Sequence, residues 1–297
     1  MGKIRDTSHW TTEYRRERTA AATAGRAALD EARTVQLRQD ALQAARWILL
    51  HGYTSAPVLR LLVGRSVRFI TTLRSLGWVS AEPRYVRSAK RSKRDGRQVR
   101  SVSLLFLTSK GYREVIEEFA LSPEEYPRTN RIDRPEVIRH NILAQLVAAS
   151  LVRDLRSHGV WCDSYPPSKL SLIDRPDVRS LLRLQFRKNQ LIPDELILTD
   201  HTDYLAFESE WFSLHGKIGY AIEVERTPKS EEEVKKLVEK LIELNRLLRV
   251  VLVTETRQKM EAMLVKLEGW ESGGVQFHRS MVTQLVVREI WDDPDPF

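Results

Sequence analysis

The chain has 297 residues, of which 42% are apolar, so it is long enough to form two compact domains with separate cores. Lysine and arginine number 48 against 40 acidic residues, and the resulting net charge of +8 favours a polyanionic partner such as nucleic acid. A single cysteine, Cys162, excludes an intramolecular disulfide and a multi-cysteine zinc site, which is typical of a protein of the reducing cytoplasm.

Residues 1–36 form a polar segment that is rich in arginine and alanine. No apolar run opens this segment, and no stretch of about 18 uninterrupted apolar residues occurs in the sequence. We therefore expect neither a signal peptide nor a membrane partner, and a cytoplasmic location. The segment itself is expected to be a basic arm, either frayed in solvent or ordered by a partner.

Residues 37–119 carry the pattern of three helices followed by a two-stranded hairpin. The three helix-like runs end at Gly52, Gly64 and Gly77, as C-terminal capping favours. A strand-like segment, a basic turn and the apolar strand 101–107 follow, and Thr108 opens another helix. This order is typical of a winged helix-turn-helix domain, whose third helix enters the major groove of double-stranded DNA.

Two basic stretches of this domain are candidate DNA contacts. The third helix offers Arg65, Ser66, Arg68, Thr71, Thr72 and Arg74. The hairpin tip offers Arg84, Arg87, Lys90, Arg91, Lys93, Arg94, Arg97 and Arg100. A charge run is often a solvated loop, but its position between two strands, directly after a recognition-type helix, favours contact with phosphates.

The remaining chain has a mixed α/β pattern. Residues 120–135 contain three prolines and no apolar period, which predicts a linker before a domain at 136–297. Helices are predicted at 136–158, 231–248 and 256–268. Strands are predicted at 160–163, 181–186, 194–199, 204–212, 219–225, 250–254 and 284–287. We therefore expect a two-domain protein of the α+β or α/β class.

Three carboxylates mark a candidate site in this second domain. Asp194 begins one apolar run, and Glu223 and Glu225 end another. Residues i and i+2 of a strand point to one face, so both glutamates would project toward a point that Asp194 can reach. Carboxylate oxygens suit Mg²⁺ or Mn²⁺, which assist phosphodiester hydrolysis. Exposed carboxylates on an edge strand are the alternative, but Glu223 lies within an apolar run, where an unpaired charge is costly.

Two helices add candidates to this site. Lys236 and Lys240 share a helical face, and one of them could offset charge developing on phosphorus. The alternative is a solvent-facing lysine that pairs with Glu232 or Glu243. His140 and Glu136 share a face of the preceding helix. They could supply a general base or another ligand, although a histidine that merely makes a structural hydrogen bond is an equally open interpretation.

The acidic pattern resembles the PD-(D/E)xK nuclease core, whose order of elements is αβββαβ. With a winged helix in front, the chain resembles the replication-relaxation family, which includes the MOBC-type relaxases of mobilisable plasmids. The shared motifs are a histidine on the helix after the linker, a Pro-Asp step, an acidic strand end followed by Arg-Thr, and a lysine on the next helix. In this sequence these are Arg139-His140-Asn141, Pro193-Asp194, Glu223-Val-Glu-Arg-Thr227 and Lys240 or Lys236.

The resemblance implies a Mg²⁺- or Mn²⁺-dependent, site-specific DNA endonuclease, most simply a relaxase that nicks a plasmid transfer origin with other mobilisation or replication proteins. One site per chain fits a nick, whereas a double-strand cut would need a homodimer. Glu225 departs from the wider superfamily, which usually has lysine there. A catalytically inactive DNA-binding regulator of replication or transcription, or a plasmid replication initiator, therefore stays open as the alternative.

Overall fold

The structure is a computed structural model, and it describes residues 32–87, 99–128, 133–172, 192–199, 218–226 and 229–287. The chain divides into two compact units, one ending at Gln43 and the other beginning at Ala44. Of the first unit, residues 32–43 are described, and they are helical. Most of the predicted basic arm lies outside the described residues.

The second unit opens with a helical layer and a small antiparallel sheet. Its first elements are helical residues 44–51 (α1), strand β1 (Thr54–Ser55), helices α2 (Ala56–Val63) and α3 (Arg68–Ser75), strands β2 (Val79–Arg87) and β3 (Val99–Leu107), and helix α4 (Ser109–Glu118). Strand β3 lies between β1 and β2 and pairs antiparallel with both. The predicted order of three helices and a hairpin is therefore observed, with one short strand, β1, that was not predicted.

Local chemistry explains two of these boundaries. Helix α2 ends at Gly64, whose φ of 65° is the left-handed conformation that glycine adopts without a Cβ clash. Helix α4 begins at Thr108, whose hydroxyl accepts a hydrogen bond from the Gly111 amide. A Cβ atom on Gly111 would collide with the backbone carbonyl of Trp78, so this glycine permits α4 to lie close to the hairpin.

The rest of the second unit is a layered α/β structure. Its main elements are helix α5 (Pro135–Ser157), strands β4 (Cys162–Tyr165), β5 (Glu195–Thr199) and β6 (Gly219–Glu225), helix α6 (Glu231–Leu244), strand β7 (Arg249–Thr254), helix α7 (Arg257–Leu267), the small hairpin β8 (Glu271–Ser272) and β9 (Val275–Gln276), and strand β10 (Val282–Val286). Short 3₁₀ turns lie at Pro167–Leu172 and Arg279–Met281. Among the described residues, the order of helix α5, strands β4, β5 and β6, helix α6 and strand β7 matches the predicted elements other than the strands 181–186 and 204–212, which lie outside them.

Five of the described strands of this region form a mixed sheet in the order β10-β7-β6-β5-β4, and β8 and β9 pair separately. Strand β5 is antiparallel to β4 and β6, whereas β6, β7 and β10 run parallel. Helix α5 contacts β4, β5 and β6 on one side. On the other side, apolar residues of α6 and α7 form a core with Leu196, Leu198 and Ala221 of the sheet. Because side chains alternate along a strand, positions 194, 223 and 225 share the α6 face.

The mixed α/β class is confirmed, while the predicted strands 181–186 and 204–212 lie outside the described residues. The domain boundaries stay a prediction, because the described residues from Ala44 onward belong to one compact unit. The segment predicted as a linker contacts its surroundings. The Tyr112 hydroxyl donates to the Tyr126 carbonyl at 3.1 Å, and the Lys169 ammonium lies 5.7 Å from the centre of the Tyr126 ring.

Two further observations concern the sequence-based expectations on membranes and cysteine. Among the described helices, none combines the length and the apolar composition that crossing a membrane requires. Cys162 is buried at the start of β4, and burial raises the pKa of its thiol to about 12. The thiolate is therefore scarce at neutral pH, and we expect the cysteine to be unreactive.

Candidate functional site

Asp194 is fixed at the beginning of β5 by backbone and side-chain contacts. Its amide donates to the Ile222 carbonyl at 3.0 Å, and its Oδ2 accepts from the Val224 amide at 2.7 Å. His140 Nε2 lies 2.9 Å from Asp194 Oδ1. Burial acts to raise the pKa of Asp194, but His140, Lys240 and the Val224 amide together lower it below its ordinary value. Asp194 is thus an oriented carboxylate that favours its ionised form.

Glu223 has the most perturbed carboxyl group of this cluster. Only 2% of the residue is exposed, and Lys240 Nζ donates to its Oε2 at 2.7 Å. Burial and the neighbouring charge of Asp194 raise the pKa of Glu223 to about 8, although Lys240 acts in the opposite direction. Its other oxygen, Oε1, is buried and has no hydrogen-bond partner. Such an unsatisfied buried oxygen is costly for folding, and a bound cation would satisfy it.

Glu225 completes the acidic face at the end of β6. It is buried, and Lys229 Nζ lies 3.1 Å from its Oε2. Burial raises the pKa of Glu225, Lys229 lowers it, and the charge of Asp194 raises it, so that the net pKa is above the ordinary value. Asp194, Glu223 and Glu225 therefore influence one another electrostatically, while their role as metal ligands stays a prediction.

Each of these carboxylates is paired with its own basic side chain: Asp194 with His140, Glu223 with Lys240, and Glu225 with Lys229. Within the described ranges, no group of three or more histidine, cysteine, aspartate or glutamate side chains is arranged to hold a metal ion. The donor chemistry nevertheless fits a hard divalent cation, because the cluster offers carboxylate oxygens only and one of them is an unsatisfied buried oxygen.

The structure separates the two candidate lysines. Lys240 reaches Glu223, whereas Lys236 forms an exposed ion pair with Glu232 at 2.8 Å, with 70% of the lysine side chain accessible. Lys236 is therefore a surface residue and not a candidate for the site, because its position on α6 directs it to solvent. His140 does contact Asp194. The side chain of Glu136 lies outside the part of the chain that the structure describes.

A second charged cluster beside this site was not predicted. Glu255, which follows β7, lies 3.1 Å from Arg139 Nη2, 3.4 Å from Arg226 Nε and 2.7 Å from Lys259 Nζ. Burial acts to raise the pKa of Glu255, but Lys259 and the two arginines lower it below its ordinary value. Arg139 precedes His140 and Arg226 follows Glu225, so the cluster ties the two chain segments of the acidic site together. No sequence pattern indicated the Glu255 cluster, because two of its three partners, Arg139 and Arg226, come from elements that are distant in the chain.

A buried serine, histidine and glutamate also meet, at Ser164, His51 and Glu195. Their arrangement differs from that of a nucleophilic triad, because the hydroxyl and the imidazole both contact Glu195 Oε1, at 2.6 and 3.1 Å. In a triad the histidine would lie between the other two groups. Since Ser164 and Glu195 are buried, this group is structural rather than nucleophilic.

The candidate DNA contacts are only partly described. Arg68, Thr71 and Arg74 are exposed on α3, while Thr72 is half-buried and donates its hydroxyl to the Arg68 carbonyl at 3.2 Å. Arg65 and Ser66 are exposed but lie before α3, which begins at Arg68. Arg84, Arg87 and Arg100 lie on β2 and β3, although their side chains are not described. The remaining hairpin candidates lie outside the described residues: Lys90, Arg91, Lys93, Arg94 and Arg97.

Comparison with known proteins adds no family assignment. No protein-family model, no curated protein and no solved structure matches this chain.

Proposed function

We propose that the chain is a divalent-metal-dependent DNA endonuclease that binds a specific duplex site and nicks one strand beside it, in the manner of a plasmid relaxase. The observation that carries this proposal is the acidic face formed by Asp194, Glu223 and Glu225, with Lys240 hydrogen-bonded to Glu223. Three neighbouring carboxylates with a lysine on the next helix are a suitable set for phosphodiester cleavage.

Asp194, Glu223 and Glu225 would hold the cation. Burial and mutual repulsion raise the pKa values of both glutamates, so a bound divalent ion would supply charge that the cluster lacks. Mg²⁺ or Mn²⁺, when bound there, would polarise the scissile phosphate and make a bound water more acidic.

The remaining steps belong to side chains of the protein. The Val224 amide and His140 orient Asp194 through 2.7 and 2.9 Å contacts. Lys240 would leave Glu223 when the carboxylate binds a cation, and its ammonium would then be available for charge developing on the phosphate oxygens. The PD-(D/E)xK core usually has a lysine at the position of Glu225. Lys240 of α6 would supply this ammonium group instead.

The first part of the second unit supports a DNA-binding role. The order α1, β1, α2, α3, β2, β3 is compatible with a winged helix. Arg68 and Arg74 are exposed on α3, and the corresponding helix of winged-helix domains enters the major groove. The net charge of +8 is compatible with a nucleic-acid partner.

The experiment that tests the proposal is cleavage of a supercoiled plasmid by the purified chain, with Mg²⁺ or Mn²⁺ and with EDTA. We expect metal-dependent conversion to the open-circular form. Asp194→Asn and Lys240→Met should abolish it while largely preserving DNA affinity, because these residues act on the phosphate and not on sequence recognition. Lys236→Met is the matched control, since it removes an exposed lysine from the same helix, and it should retain activity.

Two results would contradict the proposal. EDTA-resistant nicking, or equal nicking by the wild type and the Asp194→Asn variant, would show that the acidic face is not the active site. Specific DNA binding without cleavage under any metal condition would instead favour the alternative, a DNA-binding regulator.

A further inference from the structure

A group of buried polar side chains connects the part of the second unit that carries α3 with the part that carries the acidic face. We call it the polar bracket, and it consists of Trp47, His51, Thr54, Gln145, Ser164 and Glu195. These residues come from α1, β1, α5, β4 and β5. The bracket therefore joins elements on both sides of the segment 120–135, which the sequence predicts to be a linker.

Gln145 is the centre of one half of the polar bracket. Its Oε1 accepts from Trp47 Nε1 at 3.3 Å and from Thr54 Oγ1 at 2.8 Å, and its Nε2 donates to the Tyr53 carbonyl at 3.2 Å. Gln145 and Thr54 are at most 2% exposed. A buried amide with this many specific partners has one favourable position, so α5 cannot slide against residues 47–54 without losing these bonds.

His51 and Glu195 form the other half. His51 Nδ1 lies 2.8 Å from the Trp47 carbonyl, and because a carbonyl only accepts, this nitrogen carries a proton. Nε2 lies 3.1 Å from Glu195 Oε1, and both side chains are 2% exposed. The His51 ring also stacks on Trp47, with centroids 4.4 Å apart. The carboxyl of Glu195 is thus hydrogen-bonded to His51 at the end of α1, and Glu195 directly follows Asp194 in the chain.

The energy of these contacts makes it rare for α5 and β5 to slide against residues 47–54. A small displacement would break them before water could enter, and each buried donor or acceptor left unpaired costs about 1–3 kcal/mol. Helix α5 adds stiffness, because its 23 residues contact α2, β1 and β2 as well as β4, β5 and β6. Helix α5 therefore packs against both the part of the unit that carries α3 and the part that carries the acidic face. The same helix carries His140 of the candidate site.

From this we infer that the polar bracket fixes the spacing between α3 and the acidic face, so that the chain cuts DNA at one constant offset from the sequence that it binds. This inference rests on the proposed function and adds a determinant of specificity to it. Domains joined only by a flexible linker would cut over a range of offsets, because their separation varies from molecule to molecule.

The first test maps the cut on an end-labelled duplex and compares it with the protein footprint measured in EDTA. The wild type should cut at one dominant phosphate. A short Gly-Ser insertion after the exposed residue Glu124 lengthens the predicted linker without contacting the polar bracket, and it should leave the offset unchanged. The His51→Ala/Gln145→Ala double variant should spread the cuts over several neighbouring phosphates.

The second test needs no DNA. A protease site inserted after Glu124 is cut, and the two fragments are passed through a gel-filtration column under native conditions. We expect the fragments to elute together in the otherwise wild-type chain and to separate in the double variant. Because a variant that fails to fold would also separate, the far-UV circular dichroism spectrum of the uncut double variant is compared with that of the wild type, and a matching spectrum assigns the separation to the polar bracket.

The outcomes separate the two proposals. Wild-type cuts at scattered offsets, an offset that follows the length of the insertion, or fragments that separate in the wild-type background would each overturn the inference while leaving the nuclease proposal intact. Complete absence of wild-type cleavage would overturn the proposed function, and the constant offset with it.

Discussion

Replacing Glu223 with glutamine should change how the stability of the protein depends on pH. The pKa of Glu223 is raised from an ordinary value of 4.5 to about 8 in the fold. Below about pH 4.5 the carboxyl is protonated in both states, and its contribution to stability is complete. As the pH rises toward 8 the unfolded chain ionises first, so the folded state is progressively destabilised.

The magnitude follows from the same two values. A tenfold change in proton affinity is worth about 1.4 kcal/mol, so the raised pKa of Glu223 corresponds to a loss of up to about 5 kcal/mol across this interval. Because the amide of Glu223→Gln does not ionise, the variant should lack this loss. Its free energy of unfolding, relative to the wild type, should rise by several kcal/mol between about pH 5 and pH 8.5.

The assay is urea denaturation of both proteins at a series of pH values without divalent ions. Glu232→Gln, which removes an exposed carboxylate from α6, is the control and should follow the wild-type curve. Adding Mg²⁺ near pH 8 should stabilise the wild type by about 2.7 kcal/mol at a hundredfold excess over Kd, but not Glu223→Gln. Parallel curves for the wild type and Glu223→Gln would refute the reasoning, because they would mean that Lys240 keeps Glu223 ionised throughout.

Three further predictions concern other parts of the fold. Gly111→Ala should lower the midpoint of thermal unfolding and cost on the order of 1–3 kcal/mol, because the added methyl group collides with the Trp78 carbonyl. Tyr53→Phe removes a hydroxyl that donates to Asp133 at 3.0 Å, so urea denaturation should show a loss of about 1–2 kcal/mol. Arg74→Ala should weaken binding to the cognate duplex by about 1–3 kcal/mol and binding to scrambled DNA much less, as measured by fluorescence anisotropy.

Sequence patterns predicted the elements whose signals are local. Strand β6 was predicted with its observed bounds because an apolar run of strand length ends in two acidic residues. The glycines predicted the C-terminal ends of helices α1 to α3 to within about two residues, which is the usual uncertainty of helix ends. Strand β1 was missed, because two residues are too few to show an alternating pattern.

Such patterns do not predict contacts between residues that are distant in the chain. Lys236 and Lys240 share a helical face, and only the packing of α6 against the sheet shows which of them meets Glu223. Glu195 was interpreted as part of an apolar strand, whereas it forms a buried pair with His51, 144 residues earlier. No periodicity encodes a pairing of that separation.

The burial of Cys162 has a practical consequence for measuring motion in the protein. Since the chain has one cysteine, and its thiol is buried with a pKa of about 12, maleimide reagents should leave the native protein unmodified. Cysteines introduced at exposed positions could then carry fluorophores or spin labels without first removing the natural one. Distances between labelled positions of the second unit can then be measured in an otherwise native chain.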